Sequence, residues 1–390
     1  MFRLLFIIVL LAIILILVIP FVLYYAGINI FPSAGEPNQI RSLGYTAPQH
    51  FGSLIRTENT GALWQDASRP EDPHTAFPAN IYSFIFDPND KNVLFLGGTK
   101  SGLWKSINGG RTWNTLTDKA DILDAQADIY AIKISRINPD MLLVAAYQNN
   151  YGRILQSSDG GNHFKEIYRV SAENKYVFDV IADSADSNHL LAATGEHTLI
   201  ETINGGATWR VKKLFDTSLV RLVANPNDFR ELYAITADGE LIKSATGGND
   251  WSIALGREQS PRAIEKYPPD IFDFSSSDAI SGFNTVFALD PLNVSRLYLG
   301  TDTLLLRSSD AGMTWQEVNL LFAADLLPIT ALAIDPHDSK ILFVAANHQM
   351  QKSIDDGATW SNVPFPASLG ATKIFIHPQD SRIMFAVVRK

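Results

Sequence analysis

Hydrolysis of a glycosidic bond needs two carboxyl groups facing each other across a substrate, one to donate a proton and one to act as base or nucleophile. The chain offers acidic residues between its apolar runs: Glu71 and Asp72, Asp121 and Asp124, Glu196, Asp238, Asp302, and Asp270 or Asp273. Capture of a carboxylate substrate would call instead for converging arginines. Arg69 and Arg221 stand where such a clamp could form, and no third arginine accompanies them in matching position. His197 and His348 occupy polar loops, but the sequence holds no His-x-x-x-His pair to grip a metal. It holds no Gly-x-Ser-x-Gly elbow either, and its Gly-Gly pairs are followed by no helix that would make them phosphate cradles. Isolated acids and histidines in polar loops are usually just solvated. The residues therefore assign no catalytic, cofactor-binding or metal site, and the expectation is a protein that is not an enzyme and carries no cofactor.

What must position any such residues is a repeat. SINGGRTW spans 106–113, SSDGGNHF 157–164, TINGGATW 202–209, SATGGNDW 244–251, SSDAGMTW 308–315 and SIDDGATW 353–360, with TENTGALW at 57–64 as a weaker copy. The first position is Ser or Thr throughout. The third is Asn59, Asn108, Asp159, Asn204, Asp310 or Asp355, and Thr in the remaining copy. The fifth is always glycine: Gly61, Gly110, Gly161, Gly206, Gly248, Gly312 and Gly357. The eighth is always aromatic: Trp64, Trp113, Phe164, Trp209, Trp251, Trp315 and Trp360, which places six of the chain's seven tryptophans at one repeat position. These residue types describe a hairpin corner. Glycine takes a positive φ without steric cost. The Asn or Asp side chain accepts hydrogen bonds from the turn's own backbone. The indole buries a large apolar face and needs one partner for its N–H. The Asp residues are thus expected to be structural, and they lack the dense oxygen pattern of a calcium loop.

Before each octapeptide comes an apolar run, a polar turn that usually contains proline, and a second apolar run. Examples are FIFDPNDKNVLFLGGT at 84–99, LVANPNDFRELYAIT at 222–236 and LAIDPHDSKILFVAA at 332–346. Short runs rich in Val, Ile, Leu and Phe and bounded by turns read as buried strands. Each unit then holds four antiparallel strands, and the invariant glycines recur every 42–64 residues. Four strands at such a period describe a propeller blade. The C-terminus supplies inner strands (IFIHPQDSRIMFAVV, 374–388) without an octapeptide, and the N-terminus an octapeptide without inner strands. Joined, they complete a blade. The expectation is an all-β, closed seven-bladed propeller over residues 51–390.

The octapeptides resemble the Asp-box, or BNR repeat, of pattern S-x-D-G-G-x-T-W. That resemblance implies a β-propeller, as in bacterial sialidases, xyloglucan-degrading glycosidases, sortilin-type receptors and the photosystem II stability/assembly factor. The single-propeller layout with Pro-turns between inner strands is most similar to the assembly-factor and sortilin-type group. The box implies no activity, because in these families it lies at the hairpin corner, away from the binding face. A sialidase-like site would need three arginines and six blades, and xyloglucan-degrading relatives usually set their cleft between two propellers. Neither matches this chain.

Residues 4–31 carry no charge, longer than the ~20 apolar residues that span a bilayer. Arg3 precedes the run, which places the N-terminus on the cytoplasmic side by the positive-inside rule. The expectation is an uncleaved transmembrane anchor at 1–31, a linker at 32–50, and a propeller on the periplasmic or extracellular side. There is no cysteine, so no disulfide supports the exported part. The net charge of −9, with no visible cluster of Lys and Arg, argues against nucleic acid. What remains is a protein-binding scaffold or assembly factor, with a glycan-binding or carbohydrate-active propeller as the alternative. Loop 252–283 is the long departure from the repeat, and Tyr267, Ile271, Phe272 and Phe274 are its apolar candidates for partner contact. Tyr147, Tyr151, His197 and His348 are the candidates at the channel mouth.

Overall fold

The computed structural model describes residues 51–255, 286–323 and 326–389. The anchor expected at 4–31 and the candidates Tyr267, Ile271, Phe272 and Phe274 lie outside the described residues. Among the described residues, no helix is long and apolar enough to cross a membrane.

The described residues form 28 strands, β1–β28 in chain order, arranged as seven antiparallel sheets of four. In the first blade, β3 (Ile81–Phe86), β4 (Leu94–Gly98), β5 (Leu103–Ser106) and β6 (Asn114–Thr115) follow one another from the channel outward. The inner strands of the next five blades are β7 (Asp128–Ile134), β11 (Val177–Ala182), β15 (Leu219–Asn225), β19 (Val286–Leu289) and β23 (Ile329–Ile334). The seventh blade is composite, in the order β2 (Gln65–Asp66), β1 (Leu54–Thr57), β28 (Met384–Arg389), β27 (Gly370–Ile376). Pairing of Leu54 with Val387 through Thr57 with Met384 joins strands from both ends of the propeller in one sheet and closes the ring.

Second strands read as unbroken apolar runs because both their faces are covered. Leu94 and Leu96 pack toward the composite blade, while Phe95, between them, packs toward the second. In β8 (Leu142–Gln148), Leu142 and Val144 face the first blade and Leu143 and Ala145 the third. The period of two thus sorts one strand between two interblade cores.

The octapeptides are corners fastened from within and from outside. Ser106 Oγ accepts the Gly110 N–H at 2.9 Å, and Asn108 Oδ1 accepts the Thr112 N–H at 3.0 Å. The N–H of the fourth residue reaches back to the turn joining the first two strands, as Gly109 does to the Asn92 carbonyl at 2.9 Å. Both the fourth and fifth residues take positive φ, yet only the fifth is always glycine. The fourth is Thr60, Ala311 or Asp356 in three copies. Backbone and packing both differ: the fifth residues take φ of 74–93° against 57–71° for the fourth, and a Cβ on Gly110 would sit 2.5 Å from Phe385 and one on Gly206 2.7 Å from Ile167, whereas on Gly109 it would meet nothing closer than 3.8 Å. The aromatic residues staple blade to blade. The indoles of Trp113, Trp209 and Trp315 donate to the carbonyls of Ala67, Ile167 and Ala254 on the preceding blades.

The sequence reading began the long insertion at Ser252. In the structure Ser252–Leu255 is β18, paired with β17 (Leu241–Ser244) as the outer strand of the fourth blade, so the insertion starts after Leu255. Strand β18 alternates exposed Ile253 with buried Leu255, and this half-exposed pattern makes an outer strand resemble a loop in sequence.

Candidate functional site

Six of the seven inner strands break register at the same place, where one extra residue bulges out of the ladder. The skipped residues are Tyr82, Tyr130, Phe178, Val220, Thr330 and Thr372, and those that follow are Ser83, Ala131, Asp179, Arg221, Ala331 and Lys373. A bulge re-aims side chains, and here these residues line a central cavity of about 390 Å³. Several of the polar ones bond across to the next blade. Ser83 Oγ accepts the Ile132 N–H at 2.9 Å, and Asp179 Oδ2 accepts the Leu222 N–H at 3.0 Å. Thr330 Oγ1 donates to the Ala371 carbonyl at 2.6 Å, and Lys373 Nζ donates to the Tyr82 carbonyl.

The channel carries four cations, Lys133, Arg221, Lys373 and Arg389, and one carboxylate, Asp179. Lys133 Nζ lies 3.1 Å from Asp179 Oδ1. Among the described residues, neither the Arg221 nor the Arg389 guanidinium has a hydrogen-bond or ion-pair partner. Burial pushes the Lys373 ammonium down to about 8; repulsion from Arg221 and Arg389 adds to the fall, and Asp179 opposes it. Arg221 is exposed to the lumen; desolvation by the channel walls lowers it, again against the attraction of Asp179, although a guanidinium stays charged at any ordinary pH.

An aromatic patch continues from this lining. Tyr82 and Tyr130 stack at 5.5 Å, Tyr130 meets Tyr176 edge-on at 5.6 Å, and Tyr176 stacks on Tyr147 at 4.5 Å. Burial, with the nearby Asp128, pushes the Tyr130 hydroxyl well up, so it stays neutral.

The expected absence of a Lys and Arg cluster is corrected here. Lys373 and Arg389 share the β27–β28 hairpin, and ring closure brings them together with Lys133 on β7 and Arg221 on β15. A signal existed: VFDVIA, LVRLVA and ATKIFI each place one charged residue inside an otherwise apolar inner strand. Arg221 reaches the channel, but Arg69 does not. It pairs with Asp66 at 3.4 Å, and its carbonyl accepts the Trp113 N–H at the octapeptide corner. Glu71 is held at the same corner by Thr112 and Asn114. Asp72 caps its own turn through His74 and Thr75. The two acids do not face a partner carboxylate across the channel. Glu196 accepts the Ser171 N–H at 3.1 Å, and Asp124 caps Gln126.

Tyr147 belongs to the aromatic patch, and its hydroxyl donates to Asn174 at 3.1 Å. Tyr151 opens β9 (Tyr151–Ser157) and faces elsewhere, bonded to Glu173 with Arg169 over its ring. His197 sits at φ 60° in the turn between β12 (Leu190–Thr194) and β13 (Thr198–Thr202). His348 sits between β24 (Leu342–Ala346) and β25 (Gln349–Ser353), three blades away, so the histidines do not converge. Among the described residues, no group of three His, Cys, Asp or Glu is placed to hold a metal.

No protein-family model matches the chain. A xyloglucanase from Paenibacillus sp. is 24% identical over 161 residues, which span 40% of this chain and 13% of that enzyme. Among solved structures, YCF48 bound to D1 peptide superposes with a TM-score of 0.58 at 14% identity, covering 87% of this chain and 98% of that one. The GH74 xyloglucanase from Xanthomonas campestris gives 0.58 at 15% identity, covering 79% of this chain. The GH74 enzyme of Niastella koreensis gives 0.59 at 16%, again covering 79%. The chain spans about half the length of these two glycosidases. At such identities the likeness establishes the fold, a seven-bladed propeller found both in a peptide-bound protein and in glycosidases.

Proposed function

We propose that this protein is a non-enzymatic scaffold or assembly factor that receives a partner protein on the channel face of its propeller. On this reading residues 4–31 hold it in a membrane, with the propeller on the outer side. The observation that carries the proposal is the channel itself. Among the described residues it offers hydrogen-bond donors, cations and aromatic faces but a single carboxylate, Asp179, already engaged by Lys133 and the Leu222 N–H. A two-carboxylate hydrolase would need a second acid opposite the first. The similarity to a propeller bound to a peptide supports the same reading.

The alternative, a glycan-binding or carbohydrate-active propeller, draws on the aromatic patch of Tyr82, Tyr130, Tyr147 and Tyr176, since sugar rings stack on such faces, and on the likeness to xyloglucanases. One experiment separates them. Detergent-solubilised full chain is used as bait, captured proteins are identified by mass spectrometry, and the same preparation is tested on a glycan array and for release of reducing sugar from xyloglucan. A reproducible protein partner with no glycan signal supports the scaffold. Glycan binding or sugar release without a protein partner overturns it.

A further inference from the structure

We propose that the ring has a proton-operated seam: protonation of His377 opens the turn between β27 and β28 and loosens the composite blade, where the two ends of the propeller meet. The inference goes beyond the scaffold reading and does not depend on the partner. Its basis is one exception in a pattern repeated around the ring. In each blade the turn between the first and second strands begins with a side chain that accepts the N–H two residues further on. The acceptor is a carboxylate at Asp87, Asp183, Asp290 and Asp335, an amide oxygen at Asn225 and a hydroxyl at Ser135, at 2.8–3.3 Å. In the composite blade the acceptor is an imidazole. His377 Nδ1 accepts the Gln379 N–H at 3.0 Å, and Nε2 donates to the Lys91 carbonyl in the corresponding turn of the first blade at 3.1 Å. A backbone N–H can only donate and a carbonyl can only accept, so the imidazole is neutral and carries its proton on Nε2.

A carboxylate keeps its acceptor oxygens down to about pH 4, and amide and hydroxyl oxygens keep theirs at any ordinary pH. An imidazole gives up its acceptor within the ordinary range. A second proton, on Nδ1, would face the Gln379 N–H across 3.0 Å, donor against donor. His377 is 1% exposed and meets the Phe86 ring edge-on at 4.6 Å, so charging it requires the turn to move. The charged groups that face it are Lys91 from the turn of the first blade and Asp380 from its own turn, the latter paired with Arg382. From the sixth blade, Asp335 and His337 reach the same turn through Ser381. Burial pushes the imidazole below its ordinary 6.5; the bond to the Lys91 carbonyl and the charge of Asp380 oppose the fall, and the charge of Lys91 adds to it. This turn is also where the composite blade grips both neighbours. Gln379 Nε2 donates to the Pro88 carbonyl at 2.9 Å, and Ser381 Oγ donates to Asp335 at 2.7 Å. Its release therefore acts on the joint that closes the ring, while the six turns built on oxygen acceptors stay shut.

The unfolded chain takes up this proton near pH 6.5 and the folded chain only at lower pH. The stability that the neutral imidazole brings is therefore whole above about pH 6.5 and drains away as pH falls toward the folded value. The test uses full chain in detergent and backbone hydrogen exchange read by mass spectrometry, at about pH 7.5 and about pH 5 and corrected for intrinsic rates. Wild type is compared with His377→Asn and with His337→Gln. Asparagine supplies an acceptor that does not titrate, as Asn225 does in the fourth blade. On acidification, wild-type amides in 370–389 are expected to open about tenfold more often, and those of the β7–β8 hairpin to change less than threefold. His377→Asn is expected to hold the first change below threefold, and His337→Gln to leave it intact. Slow exchange of the imidazole C2 hydrogen, followed in wild type, is expected to place the His377 pKa below 6.5. Should His377→Asn fail to melt cooperatively, that pKa and the wild-type pattern decide. Equal acceleration in every blade overturns the proposal, as does no acceleration in 370–389. So does an acceleration that survives His377→Asn or vanishes in His337→Gln, or a His377 pKa at or above 6.5.

Discussion

Replacing Lys373 with methionine keeps the stem of the side chain and removes its charge, so it isolates what that charge does to the fold. In the ring its pKa falls to about 8 from an ordinary 10.5, with burial the leading cause and the repulsion of Arg221 and Arg389 next. At ~1.4 kcal/mol per pH unit, holding the ammonium charged in this site costs about 3 kcal/mol. Against this stands the bond to the Tyr82 carbonyl, worth ~1.5–3 kcal/mol for a charged donor. At pH 7 the variant should therefore be roughly as stable as wild type, or more stable by about 1 kcal/mol.

The pH dependence is the sharper test. Below pH 8 both the folded and the unfolded chain carry the proton, and the penalty is fully present. Between about 8 and 10.5 the folded chain releases the proton while the unfolded chain keeps it, so wild-type stability rises with pH. The stability of wild type minus that of Lys373→Met should climb by roughly 2 kcal/mol from pH 7 to 9.5, because the other titrating groups are common to both chains and cancel. Urea unfolding of both proteins at several pH values measures it. A difference that stays flat, or falls with pH, would mean that Lys373 is not charged against its surroundings at neutral pH, and the account of the channel as an uncompensated cationic site would lose its energetic support.

Gly206→Val should cost about 2–5 kcal/mol, because it combines positive φ with a Cβ 2.7 Å from Ile167. Gly109→Ala, with open space around its Cβ, should cost only ~1–2 kcal/mol; equal losses in thermal melts would refute the packing explanation of the fifth position. Glu201 is 3% exposed and bonded to Lys212, Arg210 and His189; burial raises its pKa, but these partners win and bring it down to about 2. Its contribution is present above about pH 4.5 and is lost as pH falls toward 2, so Glu201→Gln should flatten the acid limb of stability by about 3 kcal/mol in that window. The Trp113 indole donates to Ala67, while that of Trp360 is buried with no partner among the described residues. Trp113→Phe should therefore cost ~1–3 kcal/mol more than Trp360→Phe by denaturant titration, and the opposite order would refute the stapling role of the indole N–H.

The blades were legible because every local preference in a repeat is written seven times. Glycine, hydroxyl, amide and indole recur at fixed places, and the alternation within second strands follows from burial on both faces. Even the composite blade could be read, since each terminus lacked what the other supplied. The channel was not legible to the same degree. Lys133 and Arg221 meet the Lys373–Arg389 hairpin only through closure, and no local pattern records a distance around a ring. The bulge that turns Asp179, Arg221 and Lys373 inward leaves no residue signature either, for the skipped residues include Tyr, Phe, Val and Thr. Arg69 and Glu71 misled for the related reason that a polar loop residue may be read toward either face of a propeller, and the bonds that hold these two at the Trp113 corner come from another blade.

The two kinds of position also differ in what they do to stability. At the octapeptides the hydroxyl and the amide or carboxylate meet partners within the turn, as Ser106, Asn108 and Asp159 do, and the effect is to fix the corner. In the channel the pattern differs: among the described residues the Arg221 guanidinium makes no hydrogen bond, and Asp179 acts on it only at a distance. Lys373, held between the desolvating channel wall and the repulsion of Arg221 and Arg389, is the cation whose charge opposes folding there. Departures of this kind are expected where a site serves a ligand rather than the fold, since activity and stability pull the same residues in different directions. The octapeptide corners therefore explain how the ring stands, and the channel cations set the charge of its lumen.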